Sequence, residues 1–369
     1  MREGTDVVIL GAGIAGTVLA AVLARGGARV EVLDAGRHPR FAIGESTIPH
    51  TSTLFRLLAE RYDVPEIKHL ATFHGARAHV SANHGIKRGF NFHWHEPGAR
   101  QDPELAHQLP IPSIMHTETH FLRADLDHWV MRVARKYGAV VREGVRVTGV
   151  GLGESGVTVT TDDGATVRAR FIVDAGGFRS VLASQLDLRD EPCRFRHHSR
   201  SMFTHMEGVV PWERIAACNP GPVRGSQSTL HHVFDGGWIW VIPFGNHPRA
   251  GSDLVSVGMT VDPRKHPRRD VPAGQEFREF ISAFRTSATS SRTPAPPATG
   301  SPPAASSTRR RARPATGGRS RCTPPGSSTR CSPAVCRSPW TGSTRSPGAC
   351  WTHCGRTTSP SSGSLPSNG

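Results

Sequence analysis

The sequence predicts an α/β fold: a Rossmann-type, doubly wound dinucleotide-binding domain with an inserted, mainly antiparallel β domain, followed by a disordered tail. Three observations support this prediction. The chain opens with a strand, a glycine-rich turn, a helix and a second strand. It continues with two stretches of short alternating strands over residues 140–173 and 201–261. After residue 284 the large apolar residues nearly disappear.

The first elements form a βαβ unit. Val7–Leu10 is a short apolar run rich in β-branched residues, which is typical of a strand buried in a parallel sheet. Ile14–Arg25 carries Ala, Val and Leu at helical spacing, and Val30–Leu33 is a second apolar run. A strand, a helix and a strand in this order predict two neighbouring parallel strands joined by a helix.

The later elements are a long helix and two sets of strands. The apolar residues of His120–Tyr137 lie on one stripe, which predicts an amphipathic helix. Short alternating segments over residues 140–173, broken by glycines and an Asp-Gly turn at 163–164, predict strands joined by hairpins. Residues 201–261 are again strand-like, with Gly and Pro breaks.

The turn after the first strand has the dinucleotide-binding pattern Gly-Ala-Gly-Ile-Ala-Gly. Gly11 permits the tight turn, Gly13 lets the backbone approach a pyrophosphate, and Gly16, next to Ala15, allows the helix to pack closely on the strand. The helix N-terminus offers N–H groups and a positive dipole end to phosphates. Asp34, at the end of the second strand, is placed to accept ribose hydroxyls. A glycine turn without a ligand is the alternative interpretation.

Two later segments favour FAD over NAD as the dinucleotide. Arg123-Ala-Asp-Leu-Asp opens the long helix, and Asp174-Ala-Gly-Gly-Phe-Arg-Ser follows a predicted strand. Both resemble elements of the flavoprotein monooxygenase superfamily, in which the second stretch lies against the FAD. The resemblance implies that Arg123 and Asp174 belong to the cofactor site. Taken alone, the segments also fit a charged first turn of a helix and a strand-to-loop turn.

Two further motifs resemble those of the flavin-dependent halogenases, the tryptophan-halogenase-like family. Residues 237–243, Gly-Trp-Ile-Trp-Val-Ile-Pro, contain the family's Trp-x-Trp-x-Ile-Pro signature at Trp238 and Trp240. Residues 87–92, Lys-Arg-Gly-Phe-Asn-Phe, match its Lys-x-Gly-x-x-Phe pattern, and this resemblance implies that Lys87 is the active lysine. The alternatives are a strand whose tryptophans fill a core and a solvated Lys-Arg pair.

A third motif of the same family lies between the dinucleotide turn and the lysine. Residues 38–49 resemble the family's Pro-Arg-Phe…Ile-Gly-Glu-Ser loop beside the flavin, with Gly44, Glu45 and Ser46 at the Gly-Glu-Ser positions. The three motifs occur in the family's order, and the resemblance covers about residues 5–284. An ordinary loop is the alternative for this segment.

The resemblance implies a reaction, its cofactor and its partners. Reduced FAD, supplied as FADH2 by a separate flavin reductase, and O2 convert chloride or bromide to hypohalous acid. The acid reaches Lys87, which forms a haloamine or hydrogen-bonds the acid and delivers the halogen to an electron-rich aromatic carbon. Trp238 and Trp240 block direct oxygen transfer from the flavin. The implied substrate is an indole, phenol or pyrrole of secondary metabolism such as antibiotic biosynthesis, either free or tethered to a carrier protein.

Three other functions stay open. A flavin-dependent monooxygenase or oxidoreductase shares the fold, although hydroxylases of this kind normally lack the tryptophan pair and the lysine. An inactive, truncated halogenase is the second, because the family's later Gly-Asp-Ala-Ala-x-Phe-x-Asp-Pro segment for flavin and halide has no counterpart after residue 284. Nucleic-acid binding through the tail is the third, but the tail has only two aromatic residues and no recognised module.

The positive charge of the chain is concentrated in its final 85 residues. The 369 residues include 45 Lys and Arg against 30 Asp and Glu, a formal charge of +15. Residues 285–369 contain 12 Arg and no Lys, Asp or Glu, which leaves 33 basic against 30 acidic residues before them, a net charge of +3. The excess of positive charge, which would indicate an anionic partner, therefore belongs to the tail. We expect the rest of the chain to bind no nucleic acid.

The composition of the tail also predicts its state and origin. It consists mostly of Ser, Thr, Pro, Gly, Ala and Arg, so it cannot bury enough apolar area to offset its ordering entropy. Arginine without lysine is what GC-rich coding DNA yields when it is translated out of frame. We interpret the tail as the product of a frameshift near Phe284–Arg285, which the nucleotide sequence around codon 285 decides.

The order of motifs predicts a discontinuous domain organisation. Residues 1–75 and 105–185 form the FAD-binding domain in this prediction. Residues 76–104 and 186–284 form the substrate and halogenation domain, and residues 285–369 form the low-complexity tail.

No metal site, membrane segment or disulfide framework is expected. The neighbouring histidines are better explained by strand alternation and surface placement than by metal binding; they are His93, His95, His197, His198, His231 and His232. No apolar run approaches the ~18 residues that a membrane span needs. Two isolated cysteines outside the tail, Cys193 and Cys218, fit a reducing compartment, so we expect a cytoplasmic protein.

Overall fold

The three-dimensional structure is a computed structural model of the chain. It describes residues 4–112, 117–190, 194–216 and 220–284, with two short segments at 320–321 and 352–353. Apart from those two segments, the predicted disordered tail lies outside the described residues.

The described part of the chain forms sixteen strands and seven α-helices. The strands, in chain order, are β1 (Thr5–Leu10), β2 (Val30–Asp34), β3 (Gly85–Lys87), β4 (Gly89–Trp94), β5 (Ala106–Pro110), β6 (Glu118–His120), β7 (Val140–Glu143), β8 (Val147–Gly153), β9 (Gly156–Thr161), β10 (Thr166–Asp174), β11 (Arg200–Glu207), β12 (Ser228–Phe234), β13 (Gly237–Pro243), β14 (Val255–Val261), β15 (Ser320–Arg321) and β16 (Thr352–His353). The helices are α1 (Ile14–Arg25), α2 (Pro49–Arg61), α3 (Pro65–Lys68), α4 (Phe73–His79), α5 (Arg123–Lys136), α6 (Val181–Gln185) and α7 (Ala273–Ser282).

The first sheet is the dinucleotide-binding sheet that the sequence predicts. Its strand order is β7-β2-β1-β10-β9-β8, and β7, β2, β1 and β10 run parallel. The carboxyl ends of these strands, including Leu10, Asp34 and Asp174, therefore meet at one edge. Ile9 is buried with residues of α1 and α5 on one face, whereas Val8 and Leu10 are buried with β9 and α6 residues on the other. Apolar burial on both faces holds β1 at the centre of the domain.

The second sheet is mainly antiparallel, as predicted. Its main strand order is β11-β14-β13-β12-β4-β5, in which β12 and β4 form the parallel pair, and β15 and β16 both pair with β11. Helix α7 packs on one face, where Phe277 and Phe280 contact a cluster that includes Met202 and Met259. The opposite face carries the tryptophans of β13 and is described with the site below.

A third, two-stranded sheet of β3 and β6 lies next to the second one. One of the connections between the large sheets runs from β5 through β6 to β7. Strand β5, which the predicted division assigns to the FAD-binding segment 105–185, pairs with β4 of the second sheet. This pairing suggests a domain boundary nearer to residue 110, and the division itself stays a proposal.

The start of the long helix is where the sequence prediction is wrong. The apolar stripe predicts a helix from His120, whereas α5 begins at Arg123. His120 belongs to β6, because its ring nitrogens lie 2.9 Å from the carbonyl oxygen of Pro243 and 3.0 Å from the hydroxyl of Thr229. These contacts to the second sheet override the local helical pattern. None of the helices in the described part of the chain is long and apolar enough to cross a membrane.

Candidate active site

The glycine-rich turn lies at the carboxyl edge of the first sheet. Gly11 has a φ of +101°, and its N–H donates to the carbonyl of Leu33 at 2.8 Å. Helix α1 begins directly after Gly13, which provides no side-chain cap, and a Cβ atom on Gly13 would meet no atom within 4 Å. An uncapped helix N-terminus with open backbone beside it suits a pyrophosphate. These residues fit the dinucleotide that the sequence predicts, with Ala15 exposed on the first turn.

Asp34 stabilises this turn through hydrogen bonds. Its carboxylate accepts hydrogen bonds from the N–H of Ala12 at 2.6 Å, the N–H of Gly36 at 2.7 Å and the guanidinium of Arg40 at 2.9 Å. A carboxylate has about four acceptor positions. A ribose hydroxyl would therefore use the remaining position or displace the partly buried Arg40 side chain.

Arg123 ties the loop over residues 38–49 to α5. Its guanidinium forms a bidentate ion pair with Asp127 at 2.7 and 2.9 Å. It also donates to the carbonyl oxygens of Ile43 at 2.5 Å and Gly44 at 3.2 Å. Gly44 has a φ of +87°, which a residue with a side chain rarely adopts. Arg123 thus fixes the loop predicted to lie beside the flavin.

Glu45 connects the same loop to the second sheet. Its side chain is buried and lies 2.6 Å from Nε2 of His205 on β11. Its carbonyl accepts from the N–H of Phe121 at 2.6 Å. Phe41 stacks on Phe203 of β11 with ring centroids 6.0 Å apart. The loop therefore bridges the glycine-turn edge and the tryptophan-bearing sheet.

Asp174 is engaged by the turn that follows β10. Its carboxylate accepts from the N–H groups of Gly176 and Leu182 at 2.8 and 2.9 Å and from the hydroxyl of Ser180 at 2.8 Å. Burial works to raise the pKa of Asp174, but these hydrogen bonds prevail and lower it. The side chain thus shapes the turn next to Gly11. A Cβ atom on Gly11 would collide with the backbone carbonyl of Ala175 in this turn.

Lys87 is fully buried at the end of β3, so the solvated Lys-Arg pair is the wrong interpretation for this residue. Its ammonium donates to the hydroxyl of Ser46 at 2.7 Å and to the carbonyl of Thr47. The nitrogen lies 3.6 Å from the ring centroid of Phe90. Burial lowers the pKa of Lys87 to about 7, although the carboxylate of Glu118 opposes the shift. Both protonation states are therefore accessible near neutral pH.

Glu118 and His120 are site residues that sequence reasoning missed. Glu118 is fully buried opposite Lys87 on β6, and it accepts from the hydroxyls of Thr47 at 2.8 Å and Ser52 at 2.7 Å. His120, also fully buried, is two residues further along β6. The signal for them was the run of four polar residues, Thr-Glu-Thr-His at 117–120, immediately before the long helix. A buried strand made of polar residues usually needs partners from elsewhere in the fold.

Trp238 and Trp240 lie on the same face of β13, two residues apart, as predicted. The ring of Trp240 covers Gly258 of β14, and its Nε1–H donates to the hydroxyl of Ser256 at 3.2 Å. Both tryptophans are half-buried. Their face is continued by further half-buried aromatic side chains across the sheet, namely Phe90, Phe92, Phe203 and His231. Lys87, Ser46 and the loop over residues 38–49 contact this aromatic face.

The histidines are not all on the surface. His93 is 1% exposed, and its ring lies 4.4 Å from that of Trp212 and 5.8 Å from that of His232. The surface explanation is wrong for His93, because the second face of the sheet is covered by the segment containing Trp212. Among the residues that the structure describes, no three His, Cys, Asp or Glu side chains are grouped in a way that could hold a metal ion.

Comparison with known proteins agrees with this geometry. A family model described as the FAD binding domain matches residues 4–220. The monodechloroaminopyrrolnitrin halogenase PrnC of Pseudomonas fluorescens is 45% identical over 280 residues, and the tetracycline 7-halogenase of Kitasatospora aureofaciens is 46% identical over 284 residues. Each match covers 76% of this chain. The crystal structure of halogenase PltM with phloroglucinol and FAD superposes with a TM-score of 0.72 at 37% identity, covering 76% of this chain and 56% of that one.

The fold and the glycine-turn edge define a flavoprotein whose cofactor is FAD. The chain therefore belongs to the proteins with this FAD binding domain, and 76% of it is similar to named halogenases. It spans about half the length of the curated relatives that it matches, 49% and 51% respectively.

Proposed function

We propose that this protein catalyses the FADH2- and O2-dependent chlorination or bromination of an electron-rich aromatic compound. The observation that carries the proposal is Lys87: a fully buried lysine with a pKa lowered to about 7, beside the loop that reaches the glycine turn and below an aromatic sheet face. A lysine in this state can offer either an amine or an ammonium to a small oxyacid.

The cofactor-holding residues follow from the site geometry. Gly13 and the N-terminus of α1 would hold the pyrophosphate, while Gly11 and Gly16 shape the turn that presents them. Asp34 would meet the ribose, and the loop carrying Gly44 would lie beside the flavin ring. When bound and reduced, FAD supplies the O2 chemistry that oxidises the halide to hypohalous acid. In this proposal the first sheet holds the cofactor, and the second sheet forms the substrate and halogenation domain.

Lys87 would receive and orient the hypohalous acid. Two of its donors are already held by Ser46 and the carbonyl of Thr47, so the remaining position is left for the acid. As an ammonium, Lys87 polarises the oxygen–halogen bond; as an amine, it can form a haloamine and release water. In both routes the aromatic C–H bond is replaced by a carbon–halogen bond. When the acid reacts directly, its oxygen and the displaced proton leave as water; when a haloamine has formed, the N–halogen bond breaks and the displaced proton returns to the amine nitrogen of Lys87.

The aromatic face would receive the substrate and limit competing chemistry. Trp238 and Trp240 present flat, half-buried rings on the sheet face that Lys87 contacts through Phe90, and such rings suit stacking with an aromatic compound. Bulky rings between the cofactor and the substrate would exclude direct oxygen transfer. The named substrates of the relatives suggest a phenol, indole or pyrrole. A carrier-tethered pyrrole is included, because one relative at 25% identity is a pyrrole-2-carbonyl carrier-protein chlorinase. A flavin reductase in the cytoplasm would supply FADH2.

A halogenation assay with matched lysine variants tests the proposal. The full chain is incubated with FAD, a flavin reductase, NADH, O2, phloroglucinol and either chloride or bromide, and product masses are measured. We expect a halide-dependent product from wild type and from Lys68→Met, whose lysine is exposed on α3, but none from Lys87→Met. Flavin absorbance after gel filtration should be equal in all three proteins.

Each other result has a defined meaning. A hydroxylated product that forms without halide would favour the monooxygenase alternative. A halogenated product from Lys87→Met would remove the lysine from the reaction. Wild-type protein that retains no flavin would favour an inactive chain.

A further inference from the structure

A continuous chain of buried and partly buried hydrogen bonds runs from Lys87 to the end of the tryptophan strand. The ammonium of Lys87 lies 2.7 Å from Oγ of Ser46, which lies 2.7 Å from Oγ1 of Thr229 on β12. That hydroxyl is 3.0 Å from Nε2 of His120, whose Nδ1 is 2.9 Å from the carbonyl oxygen of Pro243, the last residue of β13. Five separate parts of the chain thus contribute to one polar row.

For the ammonium form of Lys87 and a neutral His120, the chemistry of the two ends fixes the direction of every bond in this row. An ammonium can only donate, and a carbonyl oxygen can only accept. Ser46 therefore accepts from Lys87 and donates to Thr229, and Thr229 donates to Nε2 of His120. Nδ1 of His120 carries the hydrogen that Pro243 accepts. This arrangement requires a neutral imidazole in its Nδ1–H tautomer.

We infer that His120 is a positioning residue for Lys87: acting through Thr229 and Ser46, it holds the hydroxyl of Ser46 with its lone pair directed at the ammonium. The inference rests on the proposed role of Lys87 as the halogen-delivering residue. It assigns to Thr229 and His120 the task of fixing the ammonium in one orientation, so that its unused position faces the aromatic side.

The surroundings of the row support this role. His120 is fully buried, and burial followed by the nearby charge of Lys87 lowers its pKa to about 3. It therefore stays a neutral acceptor and does not take the lysine's proton near neutral pH. The other titratable groups facing Lys87 are Glu118 from β6, whose charge favours the ammonium, and His231 from β12, whose own pKa burial lowers.

Strand pairing holds both Pro243 and His120 in place. Pro243 closes the Trp-x-Trp-x-Ile-Pro segment, so its backbone is fixed by the pairing of β13 with β14. His120 is fixed by β6 pairing with β3, the strand that carries Lys87. The row thus fixes the position of Lys87 relative to the tryptophan strand by hydrogen bonds, in addition to apolar packing.

The test measures the titration of Lys87 directly by NMR and does not require the enzyme to be active. The chain contains only four lysines, at positions 68, 87, 136 and 265, so selective [ε-13C]lysine labelling gives four NMR signals, and Lys87→Met identifies the one of interest. The other three lysines are more than half exposed and serve as internal references. The pH midpoint of the Lys87 signal is measured in wild type, Thr229→Val, Thr229→Ser and a matched control.

The matched control is Thr260→Val, which also removes a buried strand hydroxyl bonded to a serine, Ser201 at 2.8 Å, but lies outside the row. We expect Thr229→Val to lower the Lys87 midpoint by about 0.5–1 in pH, because the ammonium loses an oriented acceptor. Thr229→Ser should restore the wild-type value, and Thr260→Val should keep it. An unchanged midpoint in Thr229→Val, or an equal shift in Thr260→Val, overturns the inference.

A wild-type measurement covers the case in which Thr229→Val does not fold. The ring 15N shifts of His120, assigned with His120→Gln, should report a neutral Nδ1–H tautomer from pH 6 to 8. An Nε2–H tautomer or a protonated ring contradicts the row. If the titration supports the row but Lys87→Met still halogenates, the proposed role of Lys87 in the reaction fails and the positioning stands. If Lys87 is required for halogenation but the row is absent, the proposed role of Lys87 stands and the positioning inference fails.

Discussion

The carbonyl oxygen of Gly11 occupies the space that a Cβ atom on Gly16 would need. The first and last glycines of the turn are thus in direct contact, and β1 and α1 approach each other as closely as backbone allows. Gly13, between them, has no neighbour within 4 Å of its Cβ position. The three glycines therefore have two different roles, one internal to the fold and one directed at a ligand.

This difference predicts opposite behaviour for two alanine substitutions. Gly16→Ala should lower the free energy of unfolding by about 1–3 kcal/mol, because the added methyl group forces the turn away from the helix. Gly13→Ala should change it by less than about 1 kcal/mol yet weaken FAD binding at least ~10-fold, because its methyl group projects toward the pyrophosphate. Urea denaturation and flavin-quenching titrations measure the two effects. Equal FAD affinity in wild type and Gly13→Ala would contradict the placement of the cofactor.

Removing the Arg123 side chain should loosen the loop carrying Gly44. Arg123→Met leaves the fully buried carboxylate of Asp127 without its partner, so we expect a loss of about 3 kcal/mol in the free energy of unfolding and weaker FAD binding. Arg123→Lys should recover little of either, because a lysine cannot form the bidentate pair and reach two carbonyls. The control is Arg264→Met, whose exposed pair with Asp262 should contribute almost nothing. Full FAD affinity in Arg123→Met would show that the loop needs no clamp.

The buried histidines should make the protein sensitive to mild acid. Burial, followed by the charge of His95, lowers the pKa of His93 to about 4, whereas an unfolded histidine titrates near 6.5. Because the unfolded chain binds the extra proton, the stability present above pH 6.5 is lost as the pH falls toward 4. For His93 alone the loss is about 2 kcal/mol at pH 5.

His93→Phe isolates this contribution. Neither ring nitrogen of His93 has a hydrogen-bond partner in the described part of the chain, so a phenyl ring of similar shape should preserve the fold at pH 7. Between pH 7 and pH 5 the variant should lose about 2 kcal/mol less than wild type, measured by urea denaturation at both values. The same loss in both proteins would show that His93 is already accessible to protons in the folded state.

Local patterns in the sequence were sufficient for the first βαβ unit, the body of the long helix and the two strand-rich stretches. The period of the apolar residues identified α1 and the core strands, and the alternation of Trp238 and Trp240 placed both on one strand face. The start of α5 could not be read from periodicity, because His120 fits the helical register but its ring bonds to the distant second sheet. The period of the apolar residues indicates the local conformation of a segment, but it does not indicate which distant residues the segment contacts.

By itself, then, the sequence determined the dinucleotide turn, the order of the motifs and the family that they resemble, because each depends on residues close together in the chain. Only the tertiary structure decided the state of Lys87, which stands beside an exposed arginine and looks solvated in sequence. Its burial, and the row through Ser46 and Thr229, depend on residues 183 positions apart that strand pairing brings within 2.7 Å. Desolvation and long-range hydrogen bonds give this lysine its chemistry, and neither is written in the neighbouring residues.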